Sequence, residues 1–139
     1  MCGVLLYINK KTGVNLKKFN EALDMQSHRG PDDRGVFYLD DLDSRGFQET
    51  TLNQNHQLQP SLVIGHRRLS ILDLTEGSRQ PMVNSLKKFL IYNGEFYNYK
   101  DYATKETSHS DALTLFSLLQ DESFMGFNKV NGMWASVYG

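Results

Sequence analysis

Short apolar runs alternate with polar, turn-forming stretches along this chain, and two segments repeat their apolar residues every three or four positions. Residues 2–8 read C-G-V-L-L-Y-I, and the turn-forming residues 9–13 follow, so a short buried strand is predicted. Asn15 is placed to cap a helix whose Leu16, Phe19 and Leu23 fall on one face. Two glycines and a proline in residues 28–35 cannot continue that helix and predict a turn. Residues 36–39 form a second strand candidate, residues 40–60 a polar loop with at most one weak hairpin, and residues 62–64 a third strand. Residues 76–82 read as a turn-rich connection, and residues 89–92 as a fourth strand that delivers Asn93-Gly94-Glu95. Ser110 caps a second helix with Ala112, Leu115, Phe116 and Leu119 as its apolar stripe, and residues 133–138 form a last strand.

Strands mixed with two amphipathic helices predict an α+β fold of layered sheets covered by helices. A length of 139 residues fits one domain. A net charge of −1 provides no field to recruit nucleic acid or an anionic membrane. No apolar stretch approaches a membrane span, and a single cysteine precludes an internal disulfide, so a reducing, cytoplasmic setting is expected.

That cysteine changes the picture. Removal of Met1 would leave Cys2 with a thiol and a free α-amine on one residue. An α-amine ordinarily titrates at about 7.7–8.0, and an N-terminal amine can serve as base for its own side chain. The plainer reading is a cysteine buried at the head of a strand. Three further stretches are chemically dense. Arg29-Gly30-Pro31-Asp32-Asp33 could be a structural turn with paired charges. Arg67-Arg68 offers either a carboxylate fork or a surface basic pair. Asn93-Gly94 offers an amide beside a glycine N–H, the donors of an oxyanion hole, or an ordinary Asn-Gly hairpin turn. His28, His56, His66 and His109 lack metal-ligand spacing, so no metal site is expected.

Met1-Cys2-Gly3, His28-Arg29-Gly30-Pro31-Asp32-Asp33, Gly65-His66-Arg67-Arg68-Leu69-Ser70-Ile71, Gln80-Pro81-Met82, Asn93-Gly94-Glu95-Phe96-Tyr97-Asn98-Tyr99, Ser110-Asp111 and Asn131-Gly132-Met133-Trp134 occur in that order. Together they resemble the glutaminase domain of class II glutamine amidotransferases, most closely that of glutamine-dependent asparagine synthetases. The resemblance covers the chain from Cys2 to Gly139 and makes residues 1–139 a glutaminase domain. It implies an N-terminal-nucleophile αββα sandwich, two antiparallel sheets between helix layers. It also implies roles: Cys2 as nucleophile with its α-amine as base, Asn93 and Gly94 as oxyanion hole, and Arg68 on the α-carboxylate of L-glutamine. Glu95 and Asp111 would bind the ammonium end, and Arg29, Gly30, Pro31 and Asp32 would support the pocket.

The implied reaction needs no cofactor in this chain; ATP and Mg would belong to a synthetase domain, whose motifs the sequence lacks. The segment between Tyr99 and Ser110 is short for the family, and the chain stops where the family continues, so an incomplete second sheet is expected. A partner is therefore expected, either a separate synthetase or acceptor protein or a second copy of the chain. A peptidase or acylase of the same type could share Cys2 but would not need Arg68, Glu95 and Asp111 together. The competing reading is a non-catalytic glutamine-binding or scaffolding remnant.

Overall fold

The apolar runs become strands and the two helical stripes become helices in a computed structural model that describes residues 2–40, 45–49, 60–71 and 76–139. These residues gather into two compact units, Met1–Leu69 and Ser70–Gly139.

The first unit is one helix on one antiparallel sheet. Its elements are β1 (Gly3–Ile8), α1 (Leu16–Asp24), β2 (Asp33–Asp40), β3 (Arg45–Glu49) and β4 (Leu62–Arg68), with strand order β1-β4-β2-β3. The Asn15 side chain accepts a hydrogen bond from Lys18 N–H at 3.0 Å, as the capping pattern requires. Phe19 and Leu23, four residues apart on α1, are buried with Val14, Val36, Tyr38 and Val63. Burying one such side chain contributes roughly 1.5–3 kcal/mol, so this small cluster sets where α1 lies on the sheet.

Three expectations are corrected here. Residues 6–8 of β1 are exposed rather than buried, because among the described residues β1 is the outer strand of the sheet and pairs with β4 alone. Asp33, Arg34 and Gly35 are not part of the turn: they pair with Arg68, Arg67 and His66, so β4 extends β2 backwards. The hairpin expected within residues 40–60 instead reaches back out of that stretch, because β3 pairs antiparallel with β2, and residues 41–44 and 50–59 lie outside the described residues.

The second unit repeats the plan with different proportions. Its elements are β5 (Met82–Val83), β6 (Phe89–Phe96), α2 (Asp111–Glu122) and β7 (Gly132–Tyr138), in the order β5-β6-β7, all antiparallel. A short 3-10 turn, Glu76–Ser78, and a cis Gln80–Pro81 bond precede β5. Between Tyr99 and Ser110 there is no α-helix, as expected, only a 3-10 turn over Tyr99–Asp101. The Ser110 hydroxyl caps α2, accepting from Leu113 N–H at 3.3 Å and from the Ser78 hydroxyl at 3.0 Å. The predicted stripe of Ala112, Leu115, Phe116 and Leu119 is buried against Leu90, Tyr92 and Phe96 of β6. Thr114 and Leu118 are buried too, so α2 is enclosed on more than the predicted face. Two antiparallel sheets with helices give the α+β class anticipated for an N-terminal-nucleophile architecture.

Candidate active site

In the first unit the chemically dense residues converge where β1 and β4 stop pairing. Gly3 is opposite Arg67, so Cys2 comes immediately before the ladder on β1 and Arg68 immediately after it on β4. The Cys2 Sγ receives Leu69 N–H at 3.4 Å and lies 3.8 Å from Leu69 O. Its carbonyl accepts from Arg29 Nε at 3.3 Å, which ties the stretch after α1 to the start of the chain. Arg68 is buried, and its carbonyl accepts from Asp32 N–H at 3.0 Å. Gly30 is also buried, and a Cβ there would overlap the carbonyl of Arg67 and lie 2.6 Å from Arg68 N. Only glycine lets the chain pass this close to another backbone. Cys2, Arg29, Gly30, Asp32 and Arg68 are thus assembled by β4 and the strand-end crossing over it, while Pro31 and Asp32 remain exposed.

In the second unit Asn93-Gly94-Glu95 is neither a loop nor a hairpin turn. It lies inside β6, opposite Ala135, Trp134 and Met133 of β7. Local chain signals favour a turn at Asn-Gly, but a partner strand supplies ladder bonds that override them. The register decides which way each N–H points. Phe89 and Gly139 exchange N–H···O bonds of 2.7 and 3.1 Å, and Tyr97 N–H donates to Asn131 O at 2.8 Å. Antiparallel ladders alternate, so odd-numbered residues of β6 face β7 and the N–H groups of Tyr92, Gly94 and Phe96 face the opposite edge. Side chains take two of these three. Gln80 Oε1 accepts from Tyr92 N–H at 2.6 Å, and Asp111 Oδ2 accepts from Phe96 N–H at 3.1 Å. Gly94 lies between them and is exposed. A Cβ on Gly94 would lie 2.5 Å from Trp134 Cα, so the approach of β7 there again demands glycine. Asn93, half-buried, and Glu95, exposed, share the strand face opposite Tyr92.

Asp111 holds two elements at once. Its Oδ1 accepts from Ala112 N–H at 2.8 Å within the first turn of α2, and its Oδ2 holds β6 as described. Burial pushes its carboxyl above the usual carboxylate range, and the hydrogen bonds from Phe96 and Ala112 pull it part of the way back. Burial first, and then the neighbouring Asp111 charge, keep the Tyr92 hydroxyl protonated well above the usual phenol range. The sequence motif around Gln80 carries no sign of its role, because its contact with β6 spans twelve residues and leaves no periodic signal. Among the described residues no three His, Cys, Asp or Glu side chains gather as a metal site, and no helix is long and apolar enough to cross a membrane.

Comparison with known proteins gives this arrangement a family. Residues 37–138 match the family model described as a glutamine amidotransferase domain. A Methanocaldococcus jannaschii protein with a provisional name of asparagine synthetase (glutamine-hydrolyzing) is 30% identical over 97% of this chain, which spans 27% of that relative. Asparagine synthetase (glutamine-hydrolyzing) 3 of Bacillus subtilis is 35% identical over 73% of the chain, corresponding to 14% of its own length. Asparagine synthetase B (glutamine-hydrolyzing) of Escherichia coli is 28% identical over 97% of the chain and 22% of its own length. The chain therefore spans little more than a quarter, at most, of these relatives. A match over most of the chain, on a fold whose two sheets hold the expected motifs at strand ends and strand edges, decides the family: the chain belongs to the glutamine amidotransferase domains, of the asparagine synthetase type.

Proposed function

We propose that this chain hydrolyses the side-chain amide of L-glutamine to glutamate and ammonia, with Cys2 as nucleophile. The observation that carries the reading is Gly94, an exposed residue whose N–H faces the same edge of β6 as the Tyr92 and Phe96 N–H groups, both already occupied by side chains. A backbone donor held in place and not used by the described residues is what a developing oxyanion needs. The glutamine-hydrolysing names of the relatives support glutamine as the substrate.

In this mechanism the Cys2 α-amine, freed by loss of Met1, takes the thiol proton as sulfur attacks the amide carbon. The C–O π electrons move onto oxygen, which is held by the Gly94 N–H and the Asn93 side chain. As the C–N bond breaks, the ammonium returns its proton to the nitrogen and ammonia leaves. Water then attacks the γ-glutamyl thioester, releasing glutamate and restoring the thiol. Arg68 pairs with the substrate α-carboxylate, and Glu95 and Asp111 receive its ammonium. Arg29, Gly30, Pro31 and Asp32 support the pocket. The ammonia passes to an acceptor-domain protein of the synthetase type. Asp111 already spends one oxygen on Phe96 and the other on Ala112, so it binds substrate through remaining lone pairs, with Glu95 the more accessible carboxylate.

The direct test is ammonia release from glutamine by the Met1-free chain, with Cys2→Ala as control. Release that is equal in the two proteins would reject the reading. Glutamine binding without any turnover would favour a non-catalytic glutamine-binding domain.

A further inference from the structure

The motif Gln80-Pro81-Met82 has no part in the proposed reaction, yet it reaches β6, the strand that carries Asn93 and Gly94. β5 pairs Met82 with Leu90 and Val83 with Phe89, so continuing its register would bring the backbone of residue 80 opposite Tyr92. β5 stops at Met82, and the Gln80 side chain occupies that place instead, with Oε1 2.6 Å from Tyr92 N. Gln80 is buried, so this is an interior contact that water cannot readily replace. Two residues beyond Gly94, the Asp111 carboxylate does the same for Phe96 N–H. One edge of β6 is therefore held by side chains on both sides of a single open donor.

We propose that Gln80 is a positioning residue for the Gly94 N–H: it takes the place of a missing strand at Tyr92, so that the peptide before Gly94 is aimed without being used. The inference rests on Gly94 acting as oxyanion donor. Preorganised donors act at 2.7–3.1 Å from the developing oxygen, and a misplacement of about 1 Å can cost on the order of 100-fold. A strand edge released at Tyr92 can rotate its peptides or be reached by water, and the Gly94 N–H would then need reorienting in each turnover. Gln80 is buried and acts through Tyr92 N–H, so the loss falls on transition-state stabilisation, with ground-state binding spared.

Gln80→Met keeps the length of the side chain and removes the acceptor. In the full chain, kcat for glutamine hydrolysis is expected to fall about tenfold with KM changed less than about twofold. A second probe is glutamate γ-semialdehyde. The Cys2 thiol adds across its C=O, the S–C bond forming as oxygen gains the thiol proton, and the product places that oxygen where the oxyanion sits. Its affinity should fall by the same factor as kcat. A rise in KM alone, or unchanged aldehyde affinity, overturns the proposal.

Amide hydrogen exchange in the unmodified chain is independent of both activity and the folding of the variant. Tyr92 and Phe96 should be protected at least about tenfold relative to Gly94; equal exchange at Tyr92 and Gly94 overturns the clamp. If the unmodified chain releases no ammonia, the glutaminase reading and the catalytic role of Gln80 both fall. The exchange pattern would still decide whether Gln80 holds the strand.

Discussion

The two units are built alike and present their chemistry differently. Each is a helix on an antiparallel sheet, capped at its N-terminus by a polar side chain. In the first, the candidate groups are side chains at the ends of strands: the Cys2 thiol before β1 and the Arg68 guanidinium closing β4, with Gly30 passing tightly over the Arg67–Arg68 peptide. In the second, the central group is a main-chain N–H inside β6, and its direction follows from the ladder with β7. A side chain can be changed without moving the sheet, whereas a backbone donor is only as well placed as its neighbours' hydrogen bonds. The helices differ in the same sense. α1 buries only Phe19 and Leu23, while α2 buries seven residues, including Asp111, which grips β6. The unit that offers a backbone donor is the one with the more extensively buried helix.

The most severe way to break this comparison is to remove the nucleophile. Cys2→Ala should reduce ammonia release to background, and a chain that retains Met1 should be nearly as impaired, because the thiol and the freed amine form one device. Mass spectrometry with a glutamine-like electrophile should label Cys2 only in the trimmed chain. Turnover surviving both changes would mean that the first unit contributes no chemistry.

Lesions in the two units should next separate kinetically. Asn93→Ala removes a donor to the oxyanion and should lower kcat by roughly 10²–10³-fold with little change in KM. Arg68→Ala removes a charged clamp felt equally in ground and transition states, so KM should rise, by about tenfold or more, with kcat nearly preserved. Steady-state kinetics on both variants checks the division, and a shared phenotype would erase it.

The helix caps give the smallest contrast. Asn15→Ala should cost about 1 kcal/mol of stability in denaturant unfolding, since its hydrogen bond to Lys18 N–H is exposed. Ser110→Ala should cost more, approaching ~2 kcal/mol, because its hydroxyl is buried and also receives the Ser78 hydroxyl. Only the second should also lower kcat, since α2 begins with the Asp111 that holds Phe96 N–H. Equal effects of the two caps on kcat would argue that α2 does not support β6.

The chain's own periodicities determined a large part of this molecule. The spacing of Phe19 and Leu23, and of Ala112, Leu115, Phe116 and Leu119, marked both helices and the faces they bury, because a helical face is a local property of about four residues. Asn15 and Ser110 marked where the helices start, for the same local reason. The candidate residues could be named because their motifs keep a fixed order along the chain.

Tertiary structure alone decided what those motifs become. Asn93-Gly94 would be a turn in isolation and is a strand here, because β7, about forty residues later, supplies its partner. The exposed residues of β1 follow from its place at the outside of the sheet, which no run of apolar letters encodes. The need for glycine at positions 30 and 94 arises from backbones that arrive from Arg67 and Trp134. Gln80 reaches Tyr92 across twelve residues and Asp111 reaches Phe96 across fifteen. Local pattern sets which residues must be buried; register and close approach depend on chain segments far apart in sequence, and they set where a donor points.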